Sequence, residues 1–182
     1  MLYQIISFLL DIATGLLGGA CLLRLYMQHQ RLPFGNPVGR FVFALTDWLV
    51  LPLRRVVPAI GPWDTASLLG AYLLKLVHFG LLMLMVGGAG QVSLLPLLAL
   101  LGLVQLVISA LTGLLIVYVI LSWVQAGSAI AYLVERLCVP LLKPLRRLIP
   151  LVGGIDLSPL ALLVLLQIAA MVLASLAPAF WR

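Results

Sequence analysis

Four stretches of this chain are long and apolar enough to cross about 30 Å of hydrocarbon, which takes about 20 helical residues. They run roughly from Ile5 to Tyr26, Ala66 to Val86, Leu97 to Leu121 and Leu157 to Ala177. Pro96 stands where a break near the start of the third is expected. Only 9% of residues are charged and 64% are hydrophobic, whereas a water-soluble domain carries about a quarter charged residues. An all-α membrane protein with four transmembrane helices follows, with no hydrophilic stretch long enough for a separate soluble domain. No Lys or Arg precedes the first apolar run, and Asp11 interrupts it. A cleaved signal peptide has the opposite pattern, so the first run is expected to stay as a span.

The 92-residue spacing of one motif divides the chain in two. Pro52-Leu53-Arg54-Arg55-Val56-Val57-Pro58-Ala59-Ile60-Gly61-Pro62-Trp63-Asp64 falls on Pro144-Leu145-Arg146-Arg147-Leu148-Ile149-Pro150-Leu151-Val152-Gly153-Gly154-Ile155-Asp156. Seven of these thirteen positions are identical, which is more than two unrelated juxtamembrane loops would share. The chain therefore reads as two tandem repeats, 1–90 and 91–182, each with two transmembrane helices. Two spans per copy give both copies the same orientation, a parallel repeat.

Between the spans of each repeat lies an amphipathic segment, at about 37–51 and 128–142. Val38, Phe41, Val42, Leu45 and Leu49 keep helical spacing in the first, as do Ile130, Leu133, Val134, Leu137 and Leu141 in the second. Each segment is too short to span. Interfacial helices, re-entrant helices, or helices packed on the ends of the bundle all fit that pattern.

The loops 52–64 and 144–156 are expected to be shaped rather than slack, since proline fixes φ and glycine permits a tight turn. Asp64 and Asp156 stand where they can cap the following helix and favour its positive dipole end, with Thr65 and Ser158 in support. The paired arginines, Arg54 with Arg55 and Arg146 with Arg147, admit three readings: anionic headgroup binding, docking of a partner protein, or topology plus an internal pair to the capping aspartate. The first long connection holds Arg31, Arg40, Arg54 and Arg55, and the second Arg136, Lys143, Arg146 and Arg147. The short turn around Gly87-Gly88-Ala89-Gly90 holds no basic residue, and the C-terminus only Arg182. The positive-inside bias thus predicts cytoplasmic loops and both termini outside.

Polar residues also stand within the spans. Asp11, Lys75, His78, Gln105 and Gln167 form a candidate intramembrane cluster, because charges in lipid turn to the bundle interior or to one another. A contact of Asp11 with Lys75 or His78 is predicted. Such a cluster can line an ion or proton path, or simply clamp helices together. Arg24, near the end of the first span, is expected to snorkel. Gly15 and Gly19 form a GxxxG on which a neighbouring helix, in this chain or a second copy, can pack closely.

The net charge of +6 reads as topology and headgroup contact, since no basic stripe with interleaved aromatics points to nucleic acid. Cys21 and Cys138 form no CxxC and read as small apolar fillers. No metal site or cofactor is expected. His78 alone is a poor haem ligand, and no HExxH or GxSxG with a placed histidine points to an enzyme.

The doubled amphipathic segment followed by P-L-R-R…P…G…D and a transmembrane helix resembles the YggT/YlmG family of small bacterial and plastid membrane proteins. The second copy, P-L-R-R-L-I-P-L-V-G-G-I-D-L-S-P, is nearer the family form. The first departs at Pro62-Trp63 and at Ala66-Ser67. The resemblance implies a multi-pass protein of the bacterial inner (cytoplasmic) membrane. It also implies a role among osmotic and potassium homeostasis, division or nucleoid organisation, and cytochrome maturation. Two functions follow as expectations: a non-enzymatic scaffold or assembly factor engaging anionic lipid or a membrane-protein partner, with homo-oligomerisation open, or a small transporter or channel component in ion balance.

Overall fold

The computed structural model describes residues 1–86, 89–124, 128–149 and 156–176. Six α-helices follow one another: α1 (Leu2–His29), α2 (Pro37–Val56), α3 (Thr65–Val86), α4 (Leu95–Val124), α5 (Ala129–Leu148) and α6 (Ser158–Leu176), with a 3-10 turn, Ala89–Leu94, before α4. Four segments are long and apolar enough to cross a membrane: Leu2–His29, Thr65–Val86, Val92–Val124 and Ser158–Ser175. Among the described residues there is no β-strand, only an isolated bridge between Ile60 and Trp63. The Gly87-Gly88 turn, the Pro150–Ile155 part of the second expected loop and Arg182 lie outside the described residues.

The chain packs as two units, Met1–Val107 and Ile108–Arg182. In the first, α1 and α3 run antiparallel. Asp11 and Thr14 of α1 meet Lys75 and His78 of α3, while Arg24 near the other end of α1 reaches Asp64, just before α3 begins. Close approach is set by small residues. A methyl group added at Gly18 would meet Leu106 Cδ2 at 2.6 Å, and one at Gly102 would meet the Phe79 ring at 2.5 Å. The same addition at Gly15 or Gly19 meets nothing within 4 Å among the described residues. The expected GxxxG contact is therefore not made within the described chain, and the glycine next to it, Gly18, carries the packing instead.

α1 stops in a Schellman motif. The N–H of Leu32 donates to the Met27 carbonyl and that of Arg31 to Gln28, both at 3.0 Å. Arg31 sits at φ 53°, a place usually given to glycine. Asn36 then caps α2, its Oδ1 accepting from Gly39 N at 2.8 Å, with Pro37 in the first turn, where no N–H is needed. Ser128 caps α5 in the same way, through Ala131 N at 3.2 Å. Pro37 and Ala129 are 92 residues apart, as are Val56 and Leu148, so the two amphipathic helices share their ends as well as their motif.

Those ends correct two expectations. Pro52-Leu53-Arg54-Arg55 and Pro144-Leu145-Arg146-Arg147 are not loop; they close α2 and α5. A proline within a helix forfeits one backbone bond, but arginines in the last turn complement the negative end of the dipole. The buried face of α2 is Gly39, Val42, Thr46 and Val50, and Phe41 is exposed. In α5 it is Leu133, Val134, Leu137, Cys138 and Leu142, and Ile130 is exposed. In α2 the face is turned about 90° from the pure apolar stripe, whereas in α5 Leu133, Val134 and Leu137 of that stripe are buried as expected and the face shifts by only about 40°. The rotation brings Thr46 inward, where a buried arginine needs it.

In the second unit Leu115, Val134, Cys138 and Leu142 form an apolar core, with Leu162, Leu163 and Leu166 of α6 packed on it.

Candidate functional site

The chemistry of the first unit gathers where α1 ends, α2 crosses and α3 begins. Arg24 does not snorkel; its side chain is 3% exposed. Its Nη1 donates to Thr46 Oγ1 at 2.8 Å and to Asp47 Oδ1 at 2.6 Å, and its guanidinium lies 4.6 Å from the centre of the Phe43 ring. Its Nε stands 3.7 Å from Asp64 Oδ2. A charge this deep demands counter-charge at hand, and α2 supplies it.

Asp64 is fully buried and belongs to the same network. Arg54 Nη2 donates to Asp64 Oδ2 at 2.5 Å and Arg54 Nε to Oδ1 at 3.3 Å, a two-pronged pair. The same Nη2 also donates to Gln28 Oε1 at 2.9 Å. At its other edge the carboxylate accepts from Ser67, N–H at 3.4 Å and Oγ at 2.6 Å, capping α3. Burial alone would push the Asp64 carboxyl up, but the hydrogen bonds from Arg54 and Ser67 and the Arg54 charge outweigh it and hold the group below the ordinary carboxylate range. Thr65 plays another part, donating from its hydroxyl to the Pro58 carbonyl at 2.8 Å. Between them Gly61, at φ 60°, makes the tight turn that lets Ile60 and Trp63 exchange backbone hydrogen bonds.

The second unit repeats the core of this arrangement without its buried charge. Arg146 Nε donates to Asp156 Oδ2 at 2.8 Å, and Arg146 Nη2 donates to Tyr118 Oη at 3.0 Å. Asp156 Oδ1 accepts from Ser158 N at 2.9 Å, two residues before α6 begins. Partial burial raises the Asp156 carboxyl, but the Ser158 N–H and Arg146 draw it below its ordinary value. The positions 92 residues after Arg24, Thr46 and Asp47 are Ile116, Cys138 and Val139. Of these only Cys138 lies in the apolar core, whereas Ile116 and Val139 are exposed.

The two arginines of each pair thus have different fates. Arg54 and Arg146 turn to the capping aspartates. Arg55 and Arg147 are exposed and have no side-chain partner among the described residues.

Deeper in the spans of the first unit, Lys75 Nζ lies 3.6 Å from Asp11 Oδ1. The Thr14 hydroxyl donates to the Leu10 carbonyl at 2.7 Å and lies 3.2 Å from His78 Nδ1. Lys75 and His78 are buried, whereas Asp11 is 71% exposed in its side chain. Gln105 is half-buried on α4, and Gln167 is exposed on α6 in the second unit. Among the described residues no group of His, Cys, Asp or Glu is placed to hold a metal ion.

Sequence reasoning singled out Arg24 but expected it to snorkel, and it missed Thr46, Asp47, Gln28 and Thr14. One signal for Gln28 was available: it lies one turn after Arg24, at i+4, on the same face of α1.

The CCB3/YggT family model matches residues 3–85 and 97–177. The uncharacterized protein YggT of Escherichia coli (strain K12) is 41% identical over 172 residues, covering 91% of this chain and 87% of that protein. A protein of Vibrio alginolyticus, described by its position in the proC 3′ region, is 36% identical over 179 residues, 96% of each chain. The uncharacterized protein PA0392 of Pseudomonas aeruginosa is 40% identical over 161 residues, covering 86% of this chain and 82% of that one. No solved structure matches this chain.

Proposed function

This chain belongs to the CCB3/YggT family, and we propose that it acts as a non-enzymatic organising factor of the bacterial inner membrane, engaging anionic headgroups or a protein partner through the ends of its two amphipathic helices. The observation that carries this reading is the split between paired arginines. In each half one guanidinium is fixed to the helix cap and the other is left exposed on the same rigid turn. A cation placed this way is presented without further loss of backbone entropy, because the backbone that bears it is already ordered.

The recurrence of helix ends every 92 residues supports two copies in one orientation, with both amphipathic helices on the same side of the membrane. The concentration of arginine on those helices favours the cytoplasmic side, with both termini outside. The Asp11–Lys75 pair serves as an interhelical clamp in this reading, since a buried ammonium needs one counter-charge to stay in the bundle.

Site-specific photo-crosslinking from positions 55 and 147 in native membranes tests the proposal. Adducts with phospholipid or one recurrent protein are expected. A proteoliposome ion flux abolished by Lys75→Leu with the fold intact would overturn it in favour of transport. A C-terminal GFP fusion bright in the cytoplasm would overturn the topology.

A further inference from the structure

The two amphipathic helices share their ends but not their exposed faces. On α2, Phe41, Ala44, Trp48, Leu51, Pro52 and Arg55 lie within about 100° of one another at 100° per residue, and all are exposed. That face is aromatic and apolar, with Arg55 at its tip and a second exposed cation, Arg40, about 20° beyond its edge. On α5 the exposed stripe is Tyr132, Arg136, Val139, Lys143 and Arg147, whose counterparts 92 residues earlier are Arg40, Ala44, Asp47, Leu51 and Arg55. Here three cations alternate with an aromatic and an aliphatic residue along about 16 Å of helix. Arg136 lies over the Tyr132 ring, 5.8 Å from its centre. The one acid of the helix, Glu135, is set about 100° aside from Arg136.

We infer that the exposed face of α5 is the anionic-phospholipid site of this protein, while that of α2 rests against acyl chains. This rests on the organising role proposed above and assigns its lipid contact to one helix. Position argues for lipid over protein. Arg146 ties the last turn of α5 to Asp156 at the entrance of α6, a helix long and apolar enough to span, so Arg147 is held at the depth where headgroups begin. The opposite face of α5 packs on the spanning helices α4 and α6 through Val134, Cys138 and Leu142, which leaves the basic stripe facing outward. Lys143 and Arg147, one turn apart, can share one phosphodiester, and Arg136 lies about 10 Å further along the helix, within reach of a second headgroup. Tyr132 and Val139 fill the spaces with groups suited to the glycerol level.

Native mass spectrometry of the full-length protein, released from micelles holding equal phosphatidylglycerol and phosphatidylcholine, tests the assignment. The wild type should retain phosphatidylglycerol preferentially. Because each basic residue near an anionic surface strengthens attachment about fivefold, Arg136→Gln/Lys143→Gln/Arg147→Gln should lower that preference more than about tenfold. Arg55→Gln should lower it by no more than about fivefold, and Arg136→Lys/Arg147→Lys should retain it. All these side chains are exposed and lie outside the Arg146–Asp156 pair, so the melting midpoint should stay in place and separates lost binding from lost fold. An unchanged preference in the triple glutamine variant overturns the inference. If Arg55→Gln alone abolishes the preference, the organising role stands and the α5 assignment fails. If the wild type shows no preference and position 147 crosslinks to a protein, the face is a protein dock and the lipid site is refuted.

Discussion

Arg24 Nη1 lies 2.6 Å from Asp47 Oδ1, joining the buried end of α1 to the middle of α2. The second half of the chain puts Ile116 and Val139 at the corresponding positions, where both are exposed, so the charged joint belongs to the first half. Removing one member of a buried pair costs about 3–5 kcal/mol, while replacing both by apolar groups is often near neutral. Arg24→Ile should therefore lower stability by about 3 kcal/mol, the low end because Asp64 keeps Arg54 and Asp47 is partly solvated. Arg24→Ile/Asp47→Val should recover at least half of that. Denaturation of the four proteins in one detergent, read as a double-mutant cycle, gives the coupling. A double variant no better than the single would refute the joint.

The split within each arginine pair predicts unequal substitutions. Arg54→Gln removes a charged two-pronged bond to a fully buried carboxylate and should cost about 2 kcal/mol. Arg55→Gln removes no side-chain partner among the described residues and should stay within about 0.5 kcal/mol. Arg146→Gln should fall between them, since its pair with Asp156 is partly solvated on both sides. Thermal midpoints in detergent give the order directly.

The same carboxylate sets an acid limit. The folded Asp64 carboxyl lies below its unfolded value, near about 3.9. Its stabilisation is therefore fully present above that value and is lost as the pH falls through the folded one. The stability difference between wild type and Asp64→Asn should be constant from about pH 7 to pH 5 and shrink below about pH 4. A difference that persists unchanged to about pH 3 would show that the cap acts without its charge.

Much of this fold was legible because lipid imposes a simple rule on composition. Long apolar runs must be helices, and the second copy of Pro-Leu-Arg-Arg announced a second set of elements. Span depth gave a contact of Asp11 with Lys75 or His78, and it is Lys75 that makes it. What periodicity could not give was the rotation of α2. Apolar spacing favours Phe41 and Leu45 as the inward face, but Arg24 is committed to the bundle by its place on α1 and draws Thr46 and Asp47 toward it. The helical state of Pro52 and Pro144 was hidden for a related reason: proline reads as a break, and only the tertiary pair of the neighbouring arginine shows that the helix continues. The inward turn of Arg54 and Arg146 was one of three open readings, and nothing short of coordinates chooses among them.

The glycines of the spans supply the last test. Gly102 faces Phe79 so closely that any added carbon must displace the ring, and overpacking of this kind costs about 1–3 kcal/mol. Gly102→Ala should be destabilised within that range, less the helix gain of alanine, and Gly18→Ala by less, because the atom it meets is the terminal Cδ2 of Leu106, which can turn aside. Gly15→Ala and Gly19→Ala meet open space within the described chain, and alanine is the better helix former by about 0.5–1 kcal/mol. In monomeric, detergent-solubilised protein they should be neutral or mildly stabilising. Sedimentation of the same variants in mild detergent then separates two cases. If Gly15→Ala/Gly19→Ala changes neither mass nor stability, that face meets only lipid. If it lowers the mass of a wild-type oligomer, the GxxxG packs against a second copy rather than within the chain, and the expectation that failed inside one molecule holds between two.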